Sequence, residues 1–441
     1  MMLPMERTLV LDCIKKIGEN VKIEGFIQIK RDHGKITFLD VSDRSGLIQV
    51  VVGGGSGKDL RPQDAVSLIG KVNKRPPNLV NPKLATGEIE IYTEKVEVLS
   101  KAAELPFDMG GKDLTLQLPT LLDYRSLTLR YPKVKAIFKV QAALMEGFRK
   151  AAKELDCIEI FVPTIAASAT EGGAEVFKVD YYGHKAFMTQ SPQLYKQMLV
   201  PVFERVFTIA HAYRAEPSVT TRHLSELTQL DCEFGFVDFN DLLDLLEHVA
   251  VEMLKFTETI SQDLLKEYAI EPIAFGKIPR LTLREAQEII FKEFGRDNRK
   301  EKDLAPQDEI DICKRTKEKN KTDFVTITHF PTKAKPFYTM PDPKDPEYSL
   351  SYDLLFRGVE ILSGSQRINS YEQLLESIQT RGMDTRDFEM YLQAFKYGMP
   401  PEGGFSFGLE RLTMHVLNLA NIREASLYPR DMERVDIRLG K

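Results

Sequence analysis

The apolar pattern of this chain changes character once, near Tyr131, and that change demands two unlike folded units. Before it, residues 21–29, 36–42, 47–52, 65–72 and 89–99 are short runs rich in Val, Ile and Phe, parted by Gly, Asp, Asn and Pro. Five such runs in about eighty residues suit a small β-barrel, with the OB-fold as leading candidate. After it, residues 134–155 repeat at helical spacing, with Ile137, Val140, Ala143, Leu144 and Phe148 on one stripe. Strands and helices then alternate to the C-terminus, with a long helical stretch at 241–268 and a charged, exposed loop at 294–303. Residues 102–118 are mixed and carry Pro106, Gly110 and Gly111, as a connector would. The expected division is a barrel over 1–101, a hinge over 102–130 and a larger α+β domain over 131–441.

A chain of 441 residues is too long for one ordinary domain. Its net charge of -5 argues against a globally basic nucleic-acid coat but leaves room for a local basic patch. Cys13, Cys157, Cys232 and Cys313 are scattered, with no CxxC pair and no His at zinc spacing. Neither structural zinc nor a disulfide framework is expected, which fits a reducing cytoplasm. Residues 1–19 mix charge into their apolar positions, and no apolar stretch reaches membrane-spanning length. A cytosolic location without membrane contact is the expectation.

Chemistry concentrates in three stretches. In the run from Ser351 to Arg367, Arg357-Gly358 can form a two-residue turn. Phe356 then faces Val359, Leu355 faces Glu360 and Asp353 faces Leu362. Asp353 and Glu360 become same-face diagonal neighbours, roughly 7–8 Å apart. Two carboxylates so placed suit hard cations on a phosphate-bearing ligand, although a solvated hairpin face has the same composition. The second stretch, 206–236, reads as a long hairpin whose polar loop holds Arg214, Glu216, Arg222 and His223. Arg214 and Glu216 are two apart and share a face. Burying such a face is costly without an anionic ligand, and a surface ion-pair cluster is the plainer alternative. In the third, Gly403 to Leu412, glycines permit close backbone approach before a helix that carries Arg411 in its first turn.

Together these stretches resemble motifs 2 and 3 and the metal-binding hairpin of the class II aminoacyl-tRNA synthetases, most nearly the aspartyl-tRNA synthetases of the archaeal/eukaryotic type. Arg214-x-Glu216…Arg222-His223 is similar to motif 2, and Gly408-Leu409-Glu410-Arg411 to motif 3. The helix before Cys157 with Ile158-Glu159-Ile160-Phe161-Val162-Pro163 is similar to motif 1, with Pro163 at the usual dimer contact. Each motif alone is degenerate; three in order behind an anticodon-type barrel are specific. The resemblance covers nearly the whole chain. It implies an OB-fold anticodon-binding barrel and a catalytic domain built on an antiparallel sheet flanked by helices. It also implies a homodimer that activates L-aspartate with ATP and Mg²⁺ and charges tRNA(Asp), with tRNA(Asn) left open.

Site roles follow from the same resemblance. Arg214 would hold the α-phosphate, Glu216 the adenine amino group, Arg222 and His223 the β- and γ-phosphates, and Arg411 the γ-phosphate and purine. Asp353, Glu360 and Ser363 would hold Mg²⁺. Glu171 and Asp231 would bind the substrate's α-ammonium, helped by Ser191 and Gln193, while Lys196 and Arg367 would face its side chain. A small acidic substrate losing its water needs fixed cations at its far end. An asparagine-specific relative usually carries an apolar residue where Lys196 stands. Residues 167–179, which include Glu171, are expected to close over bound substrate. Leu227 stands where the family often has an adenine-stacking Phe, and Asn369 where it often has His.

In the barrel, Phe38 offers a stacking face and Gln49 a donor and an acceptor to an unpaired base, although a lone strand Phe is ordinarily core. By resemblance these two read the anticodon's central uridine, with Gln28 near the position that distinguishes the third base. Lys30, Arg31, Lys71, Lys74 and Arg75 are candidates for phosphate contacts. Two other enzyme readings are asparagine activation and an ammonia-dependent asparagine synthetase; the latter family lacks the barrel. A non-catalytic RNA-binding relative would be expected to lose Arg214, Glu360 or Arg411, and all three are present.

Overall fold

The structure, a computed structural model, describes residues 5–111, 114–167, 175–217 and 220–439. It divides into two units, Met1–Gln117 and Leu118–Lys441. In the first, β1 (Asn20–His33), β2 (Ile36–Ser42), β3 (Leu47–Val52), β4 (Ala65–Lys74) and β5 (Ile89–Ser100) close a barrel in the order β1-β2-β3-β5-β4. The five expected runs are these five strands. Their period-two alternation sends Ile23, Ile27, Leu39, Val41, Val50, Leu68 and Ile91 inward, where they form the barrel core.

The second unit opens with α1 (Leu118–Asp123), α2 (Arg125–Thr128) and α3 (Pro132–Glu154). The segment expected as a hinge thus holds helices α1 and α2, and its residues from Leu118 onward belong to the second unit. Arg125 shows why. Its buried guanidinium donates to the carbonyls of Glu424, Ser426 and Leu427 at 3.0, 2.7 and 2.9 Å, tying this segment to the C-terminal region.

Next come β6 (Ile158–Glu159), a small sheet of β7 (Ile165–Ala166), β8 (Lys178–Tyr181) and β9 (His184–Met188), and α4 (Gln193–Phe203). They are followed by β10 (Arg205–Tyr213), β11 (Glu226–Gly235), α5 (Phe239–Ile260), α6 (Gln262–Glu267), β12 (Arg280–Thr282), α7 (Leu283–Phe294) and α8 (Pro306–Asn320). The rest is β13 (Phe324–Thr328), β14 (Pro341–Asp342), β15 (Asp345–Ser349), β16 (Ser351–Phe356), β17 (Val359–Gln366), α9 (Tyr371–Thr380), α10 (Glu389–Lys396), β18 (Glu402–Gly408) and α11 (Leu409–Val416).

One eight-stranded sheet organises the unit, in the order β12-β13-β16-β17-β18-β11-β10-β6. Its six central strands are antiparallel, while β12 and β6 add parallel edges. Helices α3 and α5 supply Val140, Leu144, Phe148, Leu246, Val249 and Met253 to the core against one face. The long helical stretch expected at 241–268 is two helices, because Ser261 leaves helical geometry with φ -110° and ψ 14°. The loop expected to be exposed at 294–303 is anchored in part. Buried Asn298 donates to Asp308 at 2.7 Å, and Arg296 pairs with Asp308 and Asp311. Among the described residues no helix is long and apolar enough to cross a membrane.

Candidate functional site

Strand register lays polar side chains in rows across the sheet face away from α3 and α5. Asp353 pairs with Ser363, Ser363 with Ser406, and Ser406 with Asp231. The next row on that face is Ser365, Gly404 and Glu233, and Gln229 opposes Gly408 on the other side. The alternate rows run through Tyr352, Phe405, Cys232 and Phe207, and through Leu354, Leu362, Phe407 and Leu230. These residues all sit in the helix-covered core. Period-two alternation thus divides the sheet into a packed face and a chemical face.

The β16–β17 hairpin departs from uniform pairing. Arg357 and Gly358 both have positive φ, 50° and 90°, so the two-residue turn forms where it is expected. Phe356 faces Val359 and Leu355 faces Glu360, but Leu354 faces Leu362. Ile361 is an extra residue, a β-bulge, so Asp353 faces Ser363 and not Leu362. The bulge matters for the site. Glu360 and Ser363 are an odd number of residues apart, which in a regular strand puts them on opposite faces. Here both line one cavity.

That cavity, about 250 Å³, gathers the six expected nucleotide-binding residues Arg214, Glu216, Arg222, His223, Glu360 and Arg411, together with Ser363, Leu227, Gln229 and Ser406. Arg214 and Glu216 lie beyond the end of β10 at Tyr213, so they share a loop and not a strand face. Glu216 orients the group, lying 3.9 Å from Arg214 and 3.4 Å from His223. Arg411, in the first turn of α11, approaches Glu360 at 3.7 Å. Glu410 turns inward and accepts from the Thr228 amide at 3.0 Å; burial pushes its carboxyl up to about 7.

On the hairpin, Asp353 accepts from Lys335 at 3.1 and 3.3 Å, and Lys335 lies 3.9 Å from the Phe330 ring centre. Burial and the Asp353 charge push Glu360 up to about 7, although its side chain keeps 35% of its surface open. Among the described residues, no three His, Cys, Asp or Glu side chains converge on one metal position. Lys335 escaped the sequence reading because a lone lysine beside proline carries no distinguishing pattern.

Behind Ser406 the site becomes a buried ion network. Ser406 donates to Asp231 at 3.0 Å, and Lys196 reaches Asp231 at 2.7 Å and Glu233 at 2.9 Å. Arg367 pairs with Glu233 at 2.7 Å and donates to Ser365, Gln193 and the Gly404 carbonyl at 2.7, 3.3 and 2.9 Å. Lys196 is 1% exposed and Arg367 4%. Burial opposes the Lys196 charge, but Asp231 and Glu233 outweigh it and hold its pKa above the ordinary value. Burial likewise opposes ionisation of Glu233, and the Arg367 and Lys196 charges overcome it. The two cations expected to face substrate therefore sit behind the cavity wall, already matched by protein carboxylates. Ser191 and Gln193 are buried at the start of α4, where Gln193 also donates to Gln197 at 2.8 Å. Asn369 donates to the Met399 carbonyl at 3.3 Å. Glu171, and most of the segment expected to close over substrate, lie outside the described residues.

Glu233 was missed in the sequence. Its signal was present: Gln229, Asp231 and Glu233 recur at period two on a strand whose intervening residues are Leu230, Cys232 and Phe234. A strand with one polar and one apolar face reads as half-exposed, yet here Gln229, Asp231 and Glu233 are all buried.

On the barrel, Phe38 is half-buried and meets His33 edge-on at 5.6 Å. Gln49 donates to Glu90 at 2.7 Å and accepts from Arg31 at 3.2 Å. Arg31 also makes a two-pronged contact with Asp40, at 2.8 Å on each prong. Gln28 donates to Ser42 at 2.7 Å and accepts from Gln63 at 3.2 Å. Of the cations considered for phosphate contact, Lys71 and Lys74 are exposed. Arg75 is buried against the Ile89 carbonyl and Glu90, so it is not available to a phosphate, and Lys30 is engaged by the Lys58 carbonyl.

Comparison with known proteins adds to this geometry. Residues 117–432 match the family model for class II tRNA synthetases (D, K and N), and residues 21–99 match the OB-fold nucleic acid binding domain. The aspartate–tRNA(Asp/Asn) ligase of Thermus thermophilus is 42% identical, covering 97% of this chain and 99% of its own. The aspartate–tRNA(Asp) ligase of Pyrococcus horikoshii is 39% identical, covering 95% of this chain and 96% of its own. Among solved structures, asparaginyl-tRNA synthetase from Pyrococcus horikoshii with asparaginyl-adenylate superposes with a TM-score of 0.89 at 30% identity, covering 98% of this chain and 99% of its own.

The network makes Glu233 the residue whose charge is hardest to remove. Glu233→Gln should leave two buried cations facing one carboxylate and destabilise the second unit by about 3–5 kcal/mol. The measurement is the shift of that unit's urea midpoint, and an unshifted midpoint would show that Lys196 and Arg367 are balanced elsewhere.

Proposed function

The chain belongs to the class II tRNA synthetases of the D, K and N group, and from that premise we propose how its residues divide the work of aspartate–tRNA ligation. In this activity L-aspartate is activated with ATP to aspartyl-adenylate, and the aspartyl group then passes to the 3′-terminal ribose of tRNA. The substrate's α-carboxylate attacks the α-phosphorus in line and pyrophosphate leaves. No side chain of the protein acts as nucleophile. The enzyme's part is positioning and positive charge.

Arg214 holds the α-phosphate and Arg411 the γ-phosphate, with Arg411 also covering the purine. Arg222 and His223 meet the β- and γ-phosphates, and Glu216 takes the adenine amino group. The cavity that gathers these five with Glu360 and Ser363 supports the assignment. Leu227, also on its wall, gives the adenine an apolar contact in place of an aromatic one.

Asp353, Glu360 and Ser363 are suited to hold Mg²⁺. Glu360, whose pKa is raised by burial and then by the Asp353 charge, forms with Asp353 a donor set that a hard dication fits. Magnesium commonly takes one or two carboxylates, completing its shell with water and substrate phosphates. When bound, the ion supplies further positive charge to those phosphates.

Asp231 receives the substrate's α-ammonium with Ser191 and Gln193 in support, and Glu171 joins it. Lys196 and Arg367 select the side-chain carboxylate. The single observation that carries aspartate over asparagine is likeness in sequence: relatives from 42% to 36% identical, covering at least 95% of this chain, are aspartate–tRNA ligases, and the buried cations Lys196 and Arg367 beneath the site accord with it. Phe38 and Gln49 read the anticodon's central base, with Gln28 and Arg31 beside them. The relatives' names divide between tRNA(Asp) alone and tRNA(Asp/Asn), so both are acceptors to assay. Phe161, 84% exposed beside the sheet-edge strand β6, supports pairing with a second copy there. Four buried cysteines, none in a disulfide, fit a cytoplasmic setting.

ATP–pyrophosphate exchange tests the substrate. Aspartate should drive exchange and asparagine should be at least about a hundredfold weaker; equal exchange with asparagine would overturn the assignment. Lys196→Leu should lower aspartate-dependent exchange by about a hundredfold or more, and unchanged exchange would remove Lys196 from the pocket. Phe38→Ala should raise KM for tRNA about tenfold while leaving exchange untouched; an unaltered KM would return Phe38 to the barrel's packing.

A further inference from the structure

Glu402 belongs to the buried network and has no part in the mechanism above. It opens β18, pairs with Gly235 and is wholly buried. Its Oε1 accepts from Gln197 Nε2 at 2.7 Å. The orientation of that amide is fixed, because Gln197 Oε1 already accepts from Gln193 at 2.8 Å and from Tyr391 at 3.0 Å. Glu402 Oε2 is buried and has no donor. Its neighbour within hydrogen-bonding reach is Glu233, whose oxygens accept from Arg367 and Lys196. Two carboxyl groups that face each other in a dry interior with no donor between them are held together by a shared proton.

We propose that Glu402 is a positioning residue for substrate selection: held as the neutral acid, it donates to Glu233 and keeps that carboxylate aimed at both Lys196 and Arg367. This rests on the reading that those two cations select the substrate's side-chain carboxylate. With Glu402 neutral, Lys196 and Arg367 balance Asp231 and Glu233. With Glu402 ionised, the network gains a negative charge beneath the position of an acidic substrate. Aspartate is then repelled and asparagine is not, so selectivity falls with the loss of one proton.

The surroundings favour the neutral acid. Burial, and then the Glu233 charge, raise the Glu402 pKa well above the ordinary carboxyl value, with Arg367 opposing. The groups facing it are Glu233 from β11, Arg367 after β17, Gln197 from α4, Tyr391 from α10 and Tyr352 from β16, with Lys196 and Asp231 beyond. Both tyrosines are themselves pushed towards the neutral form by burial.

The test compares Glu402→Gln and Glu402→Ala in the full-length enzyme. The glutamine keeps a donor towards Glu233 and an acceptor for Gln197; the alanine keeps neither. Glu402→Ala should raise KM for aspartate about tenfold or more, with KM for ATP unchanged and discrimination against asparagine reduced. Glu402→Gln should return KM for aspartate to within about threefold of wild type. Infrared spectra of the substrate-free enzyme at about pH 8 should contain the carbonyl stretch of a protonated carboxylic acid that Glu402→Gln lacks. If the glutamine is as harmful as the alanine, or no such band exists, the proposal falls. Should the alanine variant not fold, the glutamine kinetics and the band still decide. The band is read without substrate, so its absence would leave the aspartate assignment standing. A wild-type enzyme that failed to activate aspartate would remove that assignment and leave the band in place.

Discussion

Glu233 accepts from Arg367 and Lys196 at once, at a position with no access to water, and the architecture of the second unit is arranged around that contact. A buried cation is tolerable only when an anion is fixed within a few ångströms. Strand β11, the end of β17 and helix α4 must therefore agree on where Glu233, Asp231, Lys196 and Arg367 sit. β18 can pass beside β11 at this level because Gly404 has no side chain; a Cβ there would collide with the Glu233 carboxylate and the Cys232 carbonyl. The glycines of the run entering α11 thus serve both the ion network, at Gly404, and the wall of the cavity, at Gly408.

The sheet separates two kinds of work. One face is apolar and rigid against α3 and α5; the other carries carboxylates, hydroxyls and cations in register. Because neighbouring strands are hydrogen-bonded, the spacing of Asp353, Ser363, Ser406 and Asp231 follows from register, while Arg214, Glu216, Arg222 and His223 are placed by the loop between β10 and β11. Adenylate formation by positioning needs that property, since small misplacements of reacting groups are expensive in rate.

What could be read in the residues followed the strength of their patterns. The five barrel strands were legible because each is a short run rich in Val, Ile or Phe bounded by turn formers. That Arg214, Glu216, Arg222 and His223 would share one cavity was legible because arginine and glutamate cluster in a loop between two strands. Arg75 misled because sequence cannot show that a basic residue after a strand folds back onto a carbonyl and Glu90. Residues 118–130 read as hinge because the clamp that makes them part of the second unit, Arg125 on the carbonyls of Glu424, Ser426 and Leu427, spans about three hundred residues. Glu233 lay hidden in an alternation that normally marks exposure.

The bulge at Ile361 has an implication for how this segment can vary. A spacing of three residues between Glu360 and Ser363 works only because one residue there has no partner across the ladder. Substitutions at Ile361 alter packing, but shortening or lengthening the segment by one position would rotate Glu360 or Ser363 onto the lipophilic side of the sheet. In this hairpin the number of residues is under tighter geometric control than their chemical identity.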